Sequence, residues 1–256
     1  MPESKQEEKT ILSFASCEKE ASVCIAKGDR ILSSLRFEDW LKQFSNEEQV
    51  GRSSALVSMI KNVMANASVE GPALDAIALT NGPGRFTGLR VAVVTARMLS
   101  YAWNVPVIAV NALEVAADKL RCKRLLNAGS TIWAITDAQR RQVFAAKFHV
   151  NDQDSLETDI EQALFERTDI LNQLESGDFV TGSGAFAIQE QIEERIKNKL
   201  PTPSSSECDA IGVAHVSVQK VSSGQFVDPL KIAPIYFRPS AAEEVRLAKR
   251  SESASK

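Results

Sequence analysis

One stretch limits what this chain can fold into more than any other: Thr80-Asn81-Gly82-Pro83-Gly84-Arg85-Phe86-Thr87-Gly88-Leu89-Arg90. It follows the apolar run Ala76-Ile77-Ala78-Leu79 and precedes a long run, Val91 to Trp103, whose length fits only a helix. The order is therefore strand, glycine turn, helix N-terminus. Gly82 and Gly84 allow a left-handed backbone or a close approach, and Pro83 fixes the torsion between them. Thr87 sits where an N-cap is expected. Two readings of the turn follow from these residues. It is a plain strand-to-helix connection, or it is an anion site built on free N–H groups and the helix dipole. It is not a P-loop, because no Gly-x4-Gly-Lys-Ser/Thr is present. It also fails Gly-x-Gly-x-x-Gly, because Gly88 comes one residue too late.

The flanking chain reads as alternating short strands and helices. Strands are predicted at Thr10–Ser16, Ala21–Ala26 and Ile31–Phe37, forming an antiparallel meander. A helix over 48–66, the strand 76–80, the helix 88–103 and the strand 105–110 follow. The last part implies parallel strands joined by right-handed crossovers. The order then repeats approximately: strands 131–136 and 142–150, a helix over 159–172, strand 179–181, and helices 185–199 and 209–221. Residues 1–9 and 241–256 are polar and are expected to be disordered tails. The division expected is 10–112 and 113–240.

Charge and cysteine usage exclude several classes. The formal charge is −3 with a pI near 5.6, which lowers the expectation of direct nucleic-acid binding. The cysteines at 17, 24, 122 and 208 have no zinc-knuckle or thioredoxin spacing, and His149 and His215 are far apart. These spacings argue against a zinc site. The N-terminus has no apolar signal segment, and helix 88–103 carries two arginines and is too short to span a bilayer. A soluble cytoplasmic protein is expected. No His-x-x-x-His and no Gly-x-Ser-x-Gly is present, so hydrolysis has no support.

The motif Gly82-Pro83-Gly84, with Phe86-Thr87-Gly88-Leu89-Arg90 and then Asn104-Val105-Pro106-Val107, resembles the TsaB (YeaZ) family of tRNA threonylcarbamoyladenosine biosynthesis proteins. Arg85 stands where serine is commoner. The resemblance covers residues 10–150 well and the rest loosely, and Tyr236-Phe237-Arg238 stands where the family ends in Tyr-x-Arg. It implies an α/β, actin-like (sugar-kinase, ribonuclease H-like) fold with a glycoprotease-like domain and duplicated β-β-β-α-β-α halves. It also implies an accessory role without catalytic residue, cofactor or metal. The chain would hold a TsaD-like threonylcarbamoyl transferase, with a TsaE-like ATPase as third component and tRNA met only indirectly.

The partner face implied by the resemblance comprises Val91, Val94, Met98 and Tyr101 on helix 88–103, with Met59 and Val63 from helix 48–66. A homodimer would compete for this face. TsaB-like chains usually carry Asp-Thr where Ala15-Ser16 stand, and Glu18 and Glu20 put negative charge where a triphosphate would lie. Asp137, in Asp137-Ala138-Gln139 where the family has Asp-Ala-Arg, is either a residual cleft carboxylate or a turn cap. Gly182 and Gly184 resemble an adenosine-contacting turn or are a plain strand-to-helix turn. The alternatives are a small ATP-dependent kinase or transferase of the same fold, and a regulatory protein that has lost the TsaD contact.

Overall fold

A computed structural model describes residues 8–44, 52–202 and 207–236. The first half begins with β1 (Thr10–Ala15), β2 (Ser22–Lys27) and β3 (Arg30–Arg36), then α1 (Phe37–Phe44) and α2 (Arg52–Ala67). It continues with β4 (Ala76–Gly82), α3 (Phe86–Trp103), β5 (Val107–Asn111) and α4 (Ala112–Arg124). The second half contains β6 (Thr131–Asp137), β7 (Gln142–Val150), β8 (Leu156–Glu166), α5 (Arg167–Gln173), β9 (Phe179–Thr181) and α6 (Gln189–Ile196). A last helix, α7, covers Ala210–Ser222.

The two halves share one topology. The first sheet has the order β3-β2-β1-β4-β5 and the second has β8-β7-β6-β9. In each, the first three strands are antiparallel and the fourth returns parallel beside the first. The expected duplicated α/β architecture is present. β1 and β4 are buried on both faces, as their nearly continuous apolar runs require. Leu12, Phe14, Ile77 and Leu79 face α2 and α3, whereas Ile11, Ala15, Ala76 and Ala78 face the α7 side.

α4 joins the halves. Val115 belongs to the cluster under α7, and Leu113, Ala116, Ala117 and Leu120 pack on Ile132, Ala134 and Phe148 of the second sheet. Its start is set by Asn111, whose side-chain oxygen accepts the Leu113 N–H at 2.9 Å. α7 returns to the first sheet: Ser13 Oγ donates to the Ala210 carbonyl at 2.7 Å, and the Ala210 N–H donates to Ser22 Oγ at 2.9 Å. The chain segment that follows α7 straps the first half, with the Val227 and Ile235 N–H groups donating to Val107 and Asn81 carbonyls.

Several expectations need correction. The helix expected over 159–172 is mostly strand: β8 runs to Glu166 and only Arg167–Gln173 is helical. Its pairing with β7 shifts register near Lys147, so apolar residues lose strict alternation and take on helix-like spacing. Phe37 opens α1 rather than ending a strand, and α4 had not been anticipated. Thr87 is not the N-cap: α3 starts at Phe86, and Arg85 caps it without a side-chain bond. The helix expected from 185 starts as a 3-10 turn and becomes α-helical at Gln189. The expected tails, apart from Glu8 and Lys9, lie outside the described residues, as do 203–206, Phe237 and Arg238.

Gly88 occupies a position that no side chain can share. A Cβ there would sit 1.8 Å from the Ser16 carbonyl oxygen. Gly88→Ala must push α3 off the β1–β2 turn, and a loss of about 2 kcal/mol or more is expected in chemical denaturation.

Candidate functional site

The glycine turn meets the β1–β2 turn, backbone on backbone. Ser16 Oγ donates to the Gly88 carbonyl at 2.6 Å, and the Arg85 N–H donates to the Cys17 carbonyl at 2.7 Å. A Cβ at Gly84 would lie 2.4 Å from the same Cys17 oxygen. The close approach that the glycines permit is therefore used on the protein's own chain. The second half repeats the device. A Cβ at Gly182 would lie 2.2 Å from the Ile135 oxygen, and the Gly184 N–H donates to that oxygen at 2.9 Å. The plain-turn reading accounts for both glycine pairs.

A cleft of about 310 Å³ opens beside this contact, lined among others by Ser16, Glu18, Arg85, Thr87, Gly88 and Gln139. Glu18 is a carboxyl lining this cleft that is only 9% exposed. Ser183 Oγ donates to Glu18 Oε2 at 3.0 Å, and Thr136 Oγ1 donates to Oε1 at 3.4 Å. A first-half side chain is thus held by two hydroxyls of the second half. Burial raises its pKa from the ordinary 4.5 to about 7; the charges of Glu207 and Asp137 add to this, and the two hydroxyls oppose it. Glu20 does not line this cleft. It pairs with Arg36 and accepts the Glu38 N–H at the start of α1.

Asp137 ends β6 with turn-capping contacts: its Oδ1 accepts the Gln139 N–H at 3.2 Å and faces Arg167 at 3.4 Å. His149 bonds Asp159 through Nδ1 at 2.6 Å on the β7–β8 surface. His215 bonds Asp118 at 2.6 Å, and that bond raises the His215 pKa. Sequence reasoning missed Glu18 as a buried group, because its burial depends on Thr136 and Ser183, more than a hundred residues away.

The proposed partner residues separate into two groups. Val94, Met98 and Tyr101 are 57%, 63% and 87% exposed on α3, and Val91 is half-buried beside them. Met59 and Val63 are fully enclosed in the first core and belong to no free surface. The buried side of α2 is the side whose apolar spacing was visible in sequence. Its solvent side carries Val57, which is 59% exposed. Arg90 lies 3.8 Å over Phe86 and donates to Tyr236 Oη at 3.0 Å, and Arg97 donates to the Ile232 carbonyl. Both arginines hold the strap that follows α7.

Comparison with known proteins now bears on this geometry. The family model of TsaD, tRNA N6-adenosine threonylcarbamoyltransferase, matches residues 50–230, well over half of the chain. A curated relative, the tRNA threonylcarbamoyladenosine biosynthesis protein TsaB of Buchnera aphidicola subsp. Acyrthosiphon pisum (strain APS), is 28% identical over 138 residues. The match spans 54% of this chain and 61% of that relative. YeaZ from Pseudomonas aeruginosa superposes with a TM-score of 0.72 at 22% identity, covering 89% of this chain and 99% of that one. The chain belongs to the TsaD family, on its TsaB (YeaZ) branch. In this chain Gly82 to Arg90 packs the start of α3 against Ser16 and Cys17. The TsaB protein of Buchnera aphidicola subsp. Schizaphis graminum (strain Sg) is 34% identical over a shorter stretch of 64 residues, 30% of its length. The chain thus spans less than two thirds of the length of the TsaB relatives it matches.

Because Glu18 holds its proton more tightly when folded, its contribution favours folding fully below pH 4.5 and is lost as pH rises through about 7. Glu18→Gln keeps the shape without the ionisation. It should unfold like the parent near pH 4.5 and be more stable at pH 8, by on the order of 3 kcal/mol. Denaturant titration at the two pH values measures the difference, and an equal difference at both would exclude the buried ionisation.

Proposed function

We propose that this chain is the non-catalytic, TsaB-type subunit of a tRNA threonylcarbamoyladenosine-forming assembly, which holds the TsaD-type transferase through the exposed side of α2 and α3. The observation that carries this reading is the row Val94, Met98 and Tyr101 on α3, together with the exposed Val57 on α2. These are large apolar side chains left in solvent on helices whose opposite sides are already buried. A helix that needed only its own core would not also carry a second apolar row. Val91 borders the row, and Met59 and Val63 support it from beneath.

The glycine turn supports an accessory role, since its close approaches are taken up by Ser16 and Cys17. Ala15 and Ser16 supply no carboxylate on the first strand, and Glu18 sits in the cleft. The transferase would carry the chemistry and the tRNA. A TsaE-type ATPase would join as third component, in the cytoplasm. A second copy of this chain could use the same face when the transferase is absent, giving a homodimer.

Co-purification with the TsaD-type protein of the same organism tests the reading. The parent chain should form a complex, and Val94→Glu and Met98→Glu should each weaken it by roughly a hundredfold, the scale of a central interface residue. Both variants should keep the parent's thermal midpoint, because neither side chain is in a core. Absence of a complex with the parent chain would sink the proposal.

A further inference from the structure

α4 and α7 pack against each other. Asp118 and Cys122 stand one turn apart on α4, so their side chains project the same way. His215 approaches from α7. Asp118 Oδ2 lies 2.6 Å from His215 Nδ1, and Cys122 Sγ lies 3.9 and 4.0 Å from the two Asp118 oxygens. One donor atom from each residue can be chosen so that all lie within 4.8 Å of one another. A cavity of about 40 Å³ is bounded by Asp118 and His215 together with Glu114, Arg121 and Gln219. That space suits one ion with a water.

The surrounding charges permit a cation. Arg121 holds Asp118 Oδ1 at 2.8 and 3.0 Å, and its Nη2 lies 3.2 Å from Cys122 Sγ. Its other nitrogen pairs with Asp154 at 2.8 Å, and Glu114 pairs with Lys220 at 3.0 Å. With the thiol ionised and His215 neutral, as in the deprotonated donor set, Asp118, Asp154 and Cys122 outweigh Arg121 and the cluster is net negative. Asp118 Oδ1 can stay with Arg121 while Oδ2 turns to the ion, an outer contact of the kind that orients carboxylate ligands.

We infer that Asp118, Cys122 and His215 bind a divalent cation of the zinc class, with one sulfur, one nitrogen and one oxygen donor and a fourth position open to water. Mixed sulfur and imidazole donors select zinc over calcium or magnesium. Binding displaces the Cys122 thiol proton and the proton shared by His215 and Asp118, so protons are released on loading. The ion would clamp α4, which packs on the second sheet, to α7, which packs on the first.

The test is a titration of the full chain, stripped with chelator, with Zn²⁺ alone, followed by calorimetry and thermal unfolding. Co²⁺ serves as the coloured substitute. The expected result is one equivalent bound, a raised unfolding midpoint, proton release, and a cobalt–thiolate absorption band. Cys122→Ser should abolish that band and weaken Zn²⁺ binding tenfold or more. This thiol is exposed, so the metal-free midpoint should not move. His215→Ala should weaken binding similarly. His149→Ala, at the other histidine with carboxylate neighbours, should change nothing. Absence of stoichiometric binding, or binding that survives Cys122→Ser and His215→Ala, would overturn the assignment.

Discussion

The fold rests on a contact between two turns. The carbonyls of Ser16 and Cys17 lie where side chains at Gly88 and Gly84 would have to go. With those positions empty, the start of α3 settles against the end of β1, and one hydroxyl and one N–H bond lock the two. The seating of α3 fixes which of its sides is buried. Leu89, Ala92, Val93 and Ala96 face inward, and Val94, Met98 and Tyr101 are left outside. The apolar row on the surface is a consequence of how the turn is packed.

The same device recurs at Gly182 and Gly184 against Ile135 and Asp137, in the equivalent place of the second sheet. One strand-turn-helix joint thus occurs in each half, and Glu18 of the first half reaches Thr136 and Ser183 of the second. A carboxyl that loses its hydration must find partners or keep its proton. Glu18 has two hydroxyls for partners and still titrates near neutrality, because burial outweighs them.

The crossing of α4 and α7 is the second junction between the halves. α4 belongs to both cores, and α7, though late in the chain, completes the first. Asp118 lies at this junction, bonded to Arg121 on its own helix and to His215 on the other. The sign and softness of the donors gathered there give that junction a chemistry of its own.

Much of this was legible in the sequence. The glycines and proline between Thr80 and Arg90 announced strand, turn and helix, and the run of short apolar segments announced paired sheets, because these signals depend on neighbouring residues only. The β8 strand was misread because its bulged pairing with β7 destroyed the alternation that marks a strand. The resemblance implies Met59 and Val63 as surface residues, but both are buried in the first core, because a resemblance in sequence does not say which side of α2 the fold covers. The burial of Glu18, the stapling of Arg90 by Tyr236, and the meeting of Cys122 with His215 were decided by tertiary structure alone. Each joins residues tens to more than a hundred positions apart, and no local pattern of hydrophobicity or turn chemistry carries information over that distance.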